Sequence, residues 1–285
     1  MNLDGKTRVC GLLGYPVEHT RSPLIHNYLA ELTGINLAYL PFLTEPERLR
    51  AAVDGAYALD ILGLNVTIPH KERVIAYLQD TDPLAARIGA VNTLVRVEGG
   101  YKGYNTDMPG LYRAMLNDGV KLKDETIVIL GAGGVARAVA VMLADQAKKI
   151  YLLNRTVEKA ERIAEEVNGY AKTPLVDALP LSAYGELPRE KFLVIQTTNV
   201  GMYPHTETAV IEDPAFYAHV HTGYDLIFNP AKTRFMELVK EAGGIAFNGL
   251  KMLLYQGIIA YELWNNVQIS EEEAEKVYDR LRTSV

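Results

Sequence analysis

The run "TIVILGAGGVARAVAVML", Thr126 to Leu143, constrains the fold more than any other stretch of the chain. An apolar, β-branched segment from Thr126 to Leu130 reads as a strand. It passes without a spacer into "GAGGVA", Gly131 to Ala136, and then into a helical pattern with one apolar face. Gly131 permits the tight turn, Gly133 lets a pyrophosphate approach the backbone, and Ala136 lets the helix pack closely on the strand. Ala132, Gly134 and Val135 complete a turn whose amides face an anion at the helix N-terminus. Glycine spacing alone is a weak signal, but strand, turn and helix in this order are the setting that dinucleotide binding needs.

The next strand, Ile150 to Leu153, ends in "LLNRTVEKA". At that point a protein binding the unphosphorylated dinucleotide usually offers Asp or Glu to the ribose hydroxyls. This chain offers Asn154, Arg155, Thr156 and, a turn later, Lys159. An acid would repel a 2′-phosphate, whereas an arginine fork, a hydroxyl and an ammonium attract it. NADP is therefore expected over NAD. Thr156 also has a purely structural role open to it, as cap of the helix "VEKAERIAEEV".

Strands and helices alternate on both sides of this unit, giving an α/β chain. Before it come the strands "TRVCGLLGY", "LAYLPFL" and "ILGLNVTIP", with Leu64 to Ile68 buried. The helix "SPLIHNYLAELTG" takes Ser22 as N-cap, buries Leu24, Ile25, Tyr28, Leu29 and Leu32, and ends at Gly34. "GAVNTLVRVEGGYKGYNTD" reads as a hairpin. After the unit come the strands "FLVIQTT" and "TGYDLIF", the helices "TRFMELVKEAG" and "LKMLLYQGIIAYELWNN", and a last helix opened by a Ser270–Glu273 capping box. With 285 residues, 48% of them hydrophobic, the chain supports two domains. The expected division is a dinucleotide domain over 108–245 and a substrate domain from 1–107 plus 246–285, the terminal helices returning to it. No linker of low complexity separates them, so a ligand cleft between domains is expected.

Composition excludes several classes. A net charge of −6 argues against a general nucleic-acid binder, although not against a small anionic substrate held by a few placed groups. No apolar run reaches a membrane span, and "MNLDGKTRVC" lacks the apolar core of a signal peptide, so a cytoplasmic protein is expected. Cys10, the single cysteine, lies in an apolar strand and is expected in the core. His219 and His221 lack a third ligand nearby in sequence and read as surface histidines, with no metal expected.

The remaining polar clusters are "HTRSP", "NVTIPHK", "GAVNTL", "GYNTDMPG" and "GLKMLLYQG". Each sets an amide, hydroxyl, ammonium or carboxylate at a strand end or on a packed helix, as a polyhydroxylated ligand requires. Singly, each has a structural explanation: Asn92 as a turn residue, Asp107 as a helix cap, Gln256 as a helix surface residue. Their order along nearly the whole chain, with "GAGGVARA", "NRT", "TTNVGM" and "DLIFNPAKT", resembles the shikimate dehydrogenase family, including its quinate/shikimate relatives.

That resemblance implies a reversible NADP-dependent oxidation of the ring alcohol of shikimate, within aromatic amino acid biosynthesis, by a monomer or homodimer. It implies that Lys71 is catalytic and Asp107 its partner. Asn92, Thr67 and Gln256 would hold ring hydroxyls, and Thr20 and Ser22 the carboxylate. Met202, Ile227 and Gly249 match positions lining the nicotinamide, and Asn154, Arg155, Thr156 and Lys159 the adenosine phosphate clamp. Four positions depart from the family pattern. Thr20 stands where serine is frequent, Met108 and Pro109 follow the aspartate in place of glycine, and Phe228 replaces a tyrosine expected at the substrate carboxylate. Shikimate, quinate and an amino-substituted relative all remain open as the preferred acid, and a sensor without turnover remains open as a different class.

A proton argument bears on Lys71. A free lysine has a pKa of about 10.4, so a neutral lysine base near pH 7 needs a shift worth roughly 4 to 5 kcal/mol. A neighbouring carboxylate opposes that shift. Reduction of a ketone needs none, because the ammonium already carries the proton required by the developing alkoxide. Lys71 is accordingly expected to be the general acid for ketone reduction, titrating jointly with Asp107.

Overall fold

The alternating apolar segments build two six-stranded sheets, one in each of two units; the chain divides after Arg113 and again after Lys251. The computed structural model describes residues 3–171 and 174–283. The first unit holds β1 (Arg8–Gly14), α1 (Ser22–Thr33), β2 (Leu37–Leu43), α2 (Leu49–Ala58), β3 (Gly63–Val66), β4 (Asp80–Thr81), α3 (Pro83–Ile88), β5 (Thr93–Val97), β6 (Gly100–Tyr104) and the start of α4 (Asp107–Asn117). Its sheet runs β2-β1-β3-β5-β6-β4. β1, β2 and β3 are parallel, and the hairpin β5–β6 adds antiparallel strands. Leu13, Leu49, Val53, Leu64, Val66, Val74 and Leu94 form its core.

The second unit holds β7 (Thr126–Leu130), α5 (Gly134–Leu143), β8 (Lys149–Asn154), α6 (Val157–Asn168), β9 (Val176–Pro180), β10 (Phe192–Gln196), α7 (Pro214–Tyr217), β11 (Val220–Asp225), α8 (Arg234–Glu241) and β12 (Ile245–Phe247). Its sheet is parallel throughout, in the order β12-β11-β10-β7-β8-β9. The strand order reverses between β7 and β10, the topological switch at whose carboxyl ends such sheets bind ligands. α9 (Leu250–Asn265) lies in the first unit from Met252 onward, and α10 (Glu271–Arg282) follows it with the Ser270–Glu273 capping box in place. No helix among the described residues is long and apolar enough to cross a membrane.

Several local expectations need correction. Ser22 is not the cap of α1; Arg21 holds that position, and Ser22 is the first helical residue. Its amide instead donates to the Thr20 hydroxyl at 3.2 Å. The buried face of α1 is Ile25, His26, Leu29 and Ala30, with Leu24, Tyr28 and Leu32 only partly covered. His26 can be interior because a side chain of β3 accepts its proton, a pairing that helix periodicity does not register. The strand expected to run to Ile68 ends at Val66, since the His70 amide donates to the Thr67 carbonyl at 2.8 Å and closes a turn. "TGYDLIF" likewise ends as strand at Asp225. The division after Arg113 falls inside α4, six residues beyond the expected 107/108 boundary, because a continuous helix joins the two units. The second division, after Lys251, lies similarly beyond the expected 245/246 boundary, within α9. Cys10 is fully buried, and burial pushes its thiol up to about 12.

Candidate active site

The first unit gathers its polar side chains where β1 and β3 end. β1 and β3 run parallel and in register to Leu13 and Val66, so the chain leaves both at the same level. The Thr67 amide donates to the Leu13 carbonyl at 2.9 Å and the Tyr15 amide to the Ile68 carbonyl at 3.0 Å. Beyond this point His70 turns fully inward and its Nε2 sits 2.8 Å from the Thr44 carbonyl oxygen, an acceptor, so Nε2 carries the proton. The Val91 amide donates to the Lys71 carbonyl at 2.8 Å. The segment carrying Lys71 is thus held by the buried ring of His70 before it and by the Val91 amide at its own carbonyl.

The Lys71 side chain runs toward Asp107. Lys71 Nζ donates to Asp107 Oδ2 at 2.7 Å, with the two side chains 32% and 18% exposed. The pair is accessible to a ligand yet shielded enough to hold one geometry. Asp107 opens α4, but Asn105 is the residue whose carbonyl oxygen Oδ1 accepts from the helix, at the Met108 amide, 3.3 Å away. The aspartate carboxylate is therefore not consumed as a cap. One turn on, Gly110 lies against α9: a Cβ there would come within 2.6 Å of the Gln256 amide nitrogen. Only glycine permits that approach, which sets Asp107 and Gln256 on helices in close contact. Gln256 is part-buried and donates through Nε2 to the Leu253 carbonyl at 2.9 Å.

Asn92 is 3% exposed and is not a turn residue of the surface kind. Its Oδ1 accepts from the Thr106 amide at 2.7 Å, and its own backbone amide donates to the Tyr104 carbonyl at 3.0 Å. The Val66 amide donates to the Asn92 carbonyl at 2.8 Å, tying it to the strand that delivers Thr67. At the other side, Thr20 and Ser22 face one another, Thr20 Oγ1 donating to Ser22 Oγ at 3.2 Å. Lys71, Asp107, Thr67, Asn92, Thr20, Ser22 and Gln256 therefore all belong to the first unit, and the structure links Lys71 to Asp107 and Thr20 to Ser22 directly. Phe228 belongs to the second unit, past the end of β11. Sequence reasoning missed His70, Asn65 and Thr106. "NVTIPHK" and "YNTD" contained all three, but nothing in their spacing separates interior polar groups from exposed ones.

In the second unit Gly131 takes a φ of +111°, and its amide donates to the Leu153 carbonyl at 2.8 Å. A Cβ at Gly131 would press to 2.8 Å from Thr197 Oγ1, so both the turn and the packing require glycine. Gly133 is the N-cap of α5, and Gly133, Gly134 and Val135 are exposed while Ala136 is fully buried. Ala132 is only partly covered. This helix start presents backbone N–H groups outward, with no acidic residue in its first turn. At the end of β8, Asn154 Nδ2 donates to the Thr156 carbonyl at 2.8 Å and shapes the bend. Thr156 occupies the N-cap position of α6, yet its hydroxyl makes no capping bond, so it is available to a ligand. Arg155, Thr156 and Lys159 are exposed, and Arg155 has no ion-pair partner among the described residues. Open amides, a hydroxyl without a capping bond and two cations without an ion-pair partner among the described residues fit the diphosphate and the 2′-phosphate of NADP.

Ile227 and Gly249 are brought together, the Gly249 amide donating to the Ile227 carbonyl at 2.9 Å. Asp225 anchors this loop. It is fully buried, accepts from Thr233 Oγ1 at 2.6 Å and from the Ile227 amide at 3.0 Å, and burial raises its pKa to about 6. Met202 is exposed, on a turn closed by its amide to the Asn199 carbonyl at 3.2 Å. His221 pairs with Glu125 at 3.3 Å, and His219 stacks on Phe192 with centroids 6.2 Å apart.

A parallel sheet with an open glycine turn at its switch point defines a dinucleotide-binding α/β protein, and the lysine–carboxylate pair adds a proton-handling centre, as in a pyridine-nucleotide oxidoreductase. The chain matches the shikimate dehydrogenase substrate binding domain over residues 12–94 and shikimate / quinate 5-dehydrogenase over residues 114–200. It is 41% identical to the shikimate dehydrogenase (NADP(+)) of Desulforamulus reducens, over 92% of this chain and 91% of the other. With the shikimate dehydrogenase (NADP(+)) of Methanopyrus kandleri it shares 42% identity over 99% of both chains. A crystal structure of shikimate 5-dehydrogenase from Thermus thermophilus, in complex with NADP(H) and shikimate, superposes with a TM-score of 0.82 at 32% identity, over 96% of this chain and all of that one. The chain belongs to the shikimate dehydrogenase family of oxidoreductases.

Proposed function

We propose that the chain catalyses the reversible NADP-dependent interconversion of 3-dehydroshikimate and shikimate, a step of aromatic amino acid biosynthesis, in the cytoplasm. The observation that carries the reading is the 2.7 Å Lys71–Asp107 pair, a proton donor fixed on a carboxylate in the unit that resembles a substrate binding domain. When bound, NADP supplies the two-electron redox chemistry at the ring carbon. The chain's residues supply position and the proton.

Thr20 and Ser22 hold the carboxylate of the acid, and Thr67, Asn92 and Gln256 hold its ring hydroxyls. Phe228 borders the acid without a phenol to offer it. On the nucleotide side, the amides from Gly131 to Val135 hold the diphosphate, and Asn154, Arg155, Thr156 and Lys159 hold the 2′-phosphate. Met202, Ile227 and Gly249 border the nicotinamide. In ketone reduction Lys71 Nζ gives its proton to the oxygen that gains charge, and Asp107 stabilises the ammonium and restrains its direction. In alcohol oxidation the same atoms work in reverse, Lys71 accepting the hydroxyl proton. The experiment is product identification: incubate the protein with shikimate and NADP and analyse the mixture by mass spectrometry. Dehydroshikimate formed in step with reduced nucleotide supports the assignment. Consumption of neither compound rejects it.

A further inference from the structure

We propose that Asn65, acting through Thr93, is a positioning residue that locks Asn92 as a hydrogen-bond donor toward the substrate, so that the ring substituent read by Asn92 must be an acceptor. The proposal rests on the assignment of Asn92 to a ring hydroxyl and adds the polarity with which it is read.

A buried amide has two ends of nearly equal size, so packing does not decide which faces where. Partners with a single polarity do. Asn65 sits in β3 between Leu64 and Val66 and is 4% exposed. One end of its amide lies 3.3 Å from the Asn92 carbonyl oxygen, which can only accept. That end is therefore NH2, and Asn65 Oδ1 accepts from the Tyr39 hydroxyl at 2.8 Å and from His26 Nε2 at 3.1 Å. His26 stacks on Tyr39 with centroids 4.2 Å apart, and burial pushes its pKa down to about 3; facing the Asn65 oxygen, the neutral ring carries its proton on Nε2. The Asn65 orientation is thus set by the Asn92 carbonyl, and the Tyr39 hydroxyl and the His26 tautomer follow it.

The second N–H of that amide reaches Thr93 Oγ1 at 3.1 Å. Having accepted there, the Thr93 hydroxyl has its own proton to give, to Asn92 Oδ1 at 3.1 Å or to Thr106 Oγ1 at the same distance. The Thr106 amide, which can only donate, meets the same Asn92 oxygen at 2.7 Å. The Thr106 amide, with the Thr93 and Thr106 hydroxyls also in reach at 3.1 and 3.2 Å, holds the Asn92 carbonyl oxygen inward. Reversing the Asn92 amide would set its NH2 against the Thr106 N–H and take from the Thr93 hydroxyl, which Asn65 makes a donor, one of its two acceptors, a mispairing among buried groups. Asn92 Nδ2 gives one hydrogen to Thr106 Oγ1 at 3.1 Å. The other is the one it offers a ligand. A hydroxyl can accept from it and pass its own proton to a neighbouring acceptor; an ammonium has no lone pair to present. The network therefore selects a hydroxylated ring over an amino-substituted one at that position, the alternative left open by the sequence.

The test compares Thr93→Val, which removes the relay hydroxyl at constant shape, with Thr93→Ser, which keeps it. Steady-state constants are measured for shikimate and for NADP, beside a thermal melt. Thr93→Val is expected to raise the shikimate KM by about fivefold or more, the scale of one hydrogen bond, while the NADP KM stays within about twofold. Thr93→Ser is expected to recover most of the loss. A Thr93→Val protein with an unchanged shikimate KM, or a Thr93→Ser protein as impaired as Thr93→Val, overturns the proposal. Should Thr93→Val not fold, Asn65→Asp carries the test: it exchanges the NH2 for an oxygen facing the Asn92 carbonyl, and an unchanged shikimate KM there refutes the lock. A wild-type protein that turns over no shikimate refutes the proposed function instead, so the two failures are distinct.

Discussion

Replacement of Lys71 by Ala separates catalysis from stability. Loss of a positioned general acid costs about 10²- to 10⁴-fold in rate, a barrier increase of roughly 3 to 5 kcal/mol. The ion pair itself is a single contact between side chains 32% and 18% exposed, so its contribution to stability is under about 1 kcal/mol. In a chain of 285 residues that moves the melting temperature by only about 2 °C. Thr20, Ser22, Thr67 and Asn92 keep their own hydrogen bonds without Lys71, so the shikimate KM is expected to change by no more than a few-fold. The assay is the absorbance of the reduced nicotinamide, run with saturating shikimate, beside calorimetry on the same protein. Lys71→Arg is the control, since it keeps the positive charge but holds its proton too tightly to transfer it. Near-normal kcat in Lys71→Ala would refute the assignment. Full recovery in Lys71→Arg would reduce the role of the residue to electrostatics.

Three further outcomes follow from individual contacts. Arg155→Ala is expected to raise the NADP KM by about ten- to hundredfold, the loss of one charge-assisted contact, and to leave the NAD KM nearly unchanged in parallel rate measurements. Asp225 titrates in the folded chain near 6 against an ordinary 3.8, so the folded state binds its proton more tightly than the unfolded state does. Its contribution to stability is complete below the unfolded pKa and is lost as the pH rises through about 6, an amount on the order of 3 kcal/mol. Chemical denaturation of wild type and Asp225→Asn across that window should show the slope in the wild type alone; parallel profiles would contradict it. Ser270→Ala removes a capping box that closes both ways, with the Glu273 amide to Ser270 Oγ at 3.2 Å and the Ser270 amide to Glu273 Oε2 at 2.8 Å. It should cost about 1 kcal/mol in the same denaturation assay without altering kcat.

The sequence exposes the nucleotide side more fully than the substrate side, for a physical reason. Gly131, Gly133 and Ala136 act through local backbone geometry, so their order beside Thr126–Leu130 carries the turn, and β7 forms over that same span. The Ser270–Glu273 box is equally local. The substrate side depends on polar groups that meet from distant segments. His26, Asn65, Thr93 and Thr106 are each buried, and each is tolerated there only because a partner elsewhere in the chain accepts or donates its proton. Hydrophobic periodicity assigns such residues to a surface. Ser22 shows the complementary failure: serine before an apolar run suggests a cap, but the neighbouring Thr20 hydroxyl takes the amide instead. Alternation likewise carries β3 two residues too far, because it does not register the inward His70 that turns the chain after Val66.

The most direct measurement is the initial rate of the wild-type protein with shikimate and with quinate, each paired with NADP and with NAD. The fastest turnover is expected for shikimate with NADP, because Arg155, Thr156 and Lys159 put two exposed cations and a hydroxyl where an acid would otherwise repel a 2′-phosphate. No turnover in any of the four pairings, or a strong preference for NAD or for quinate, would contradict it.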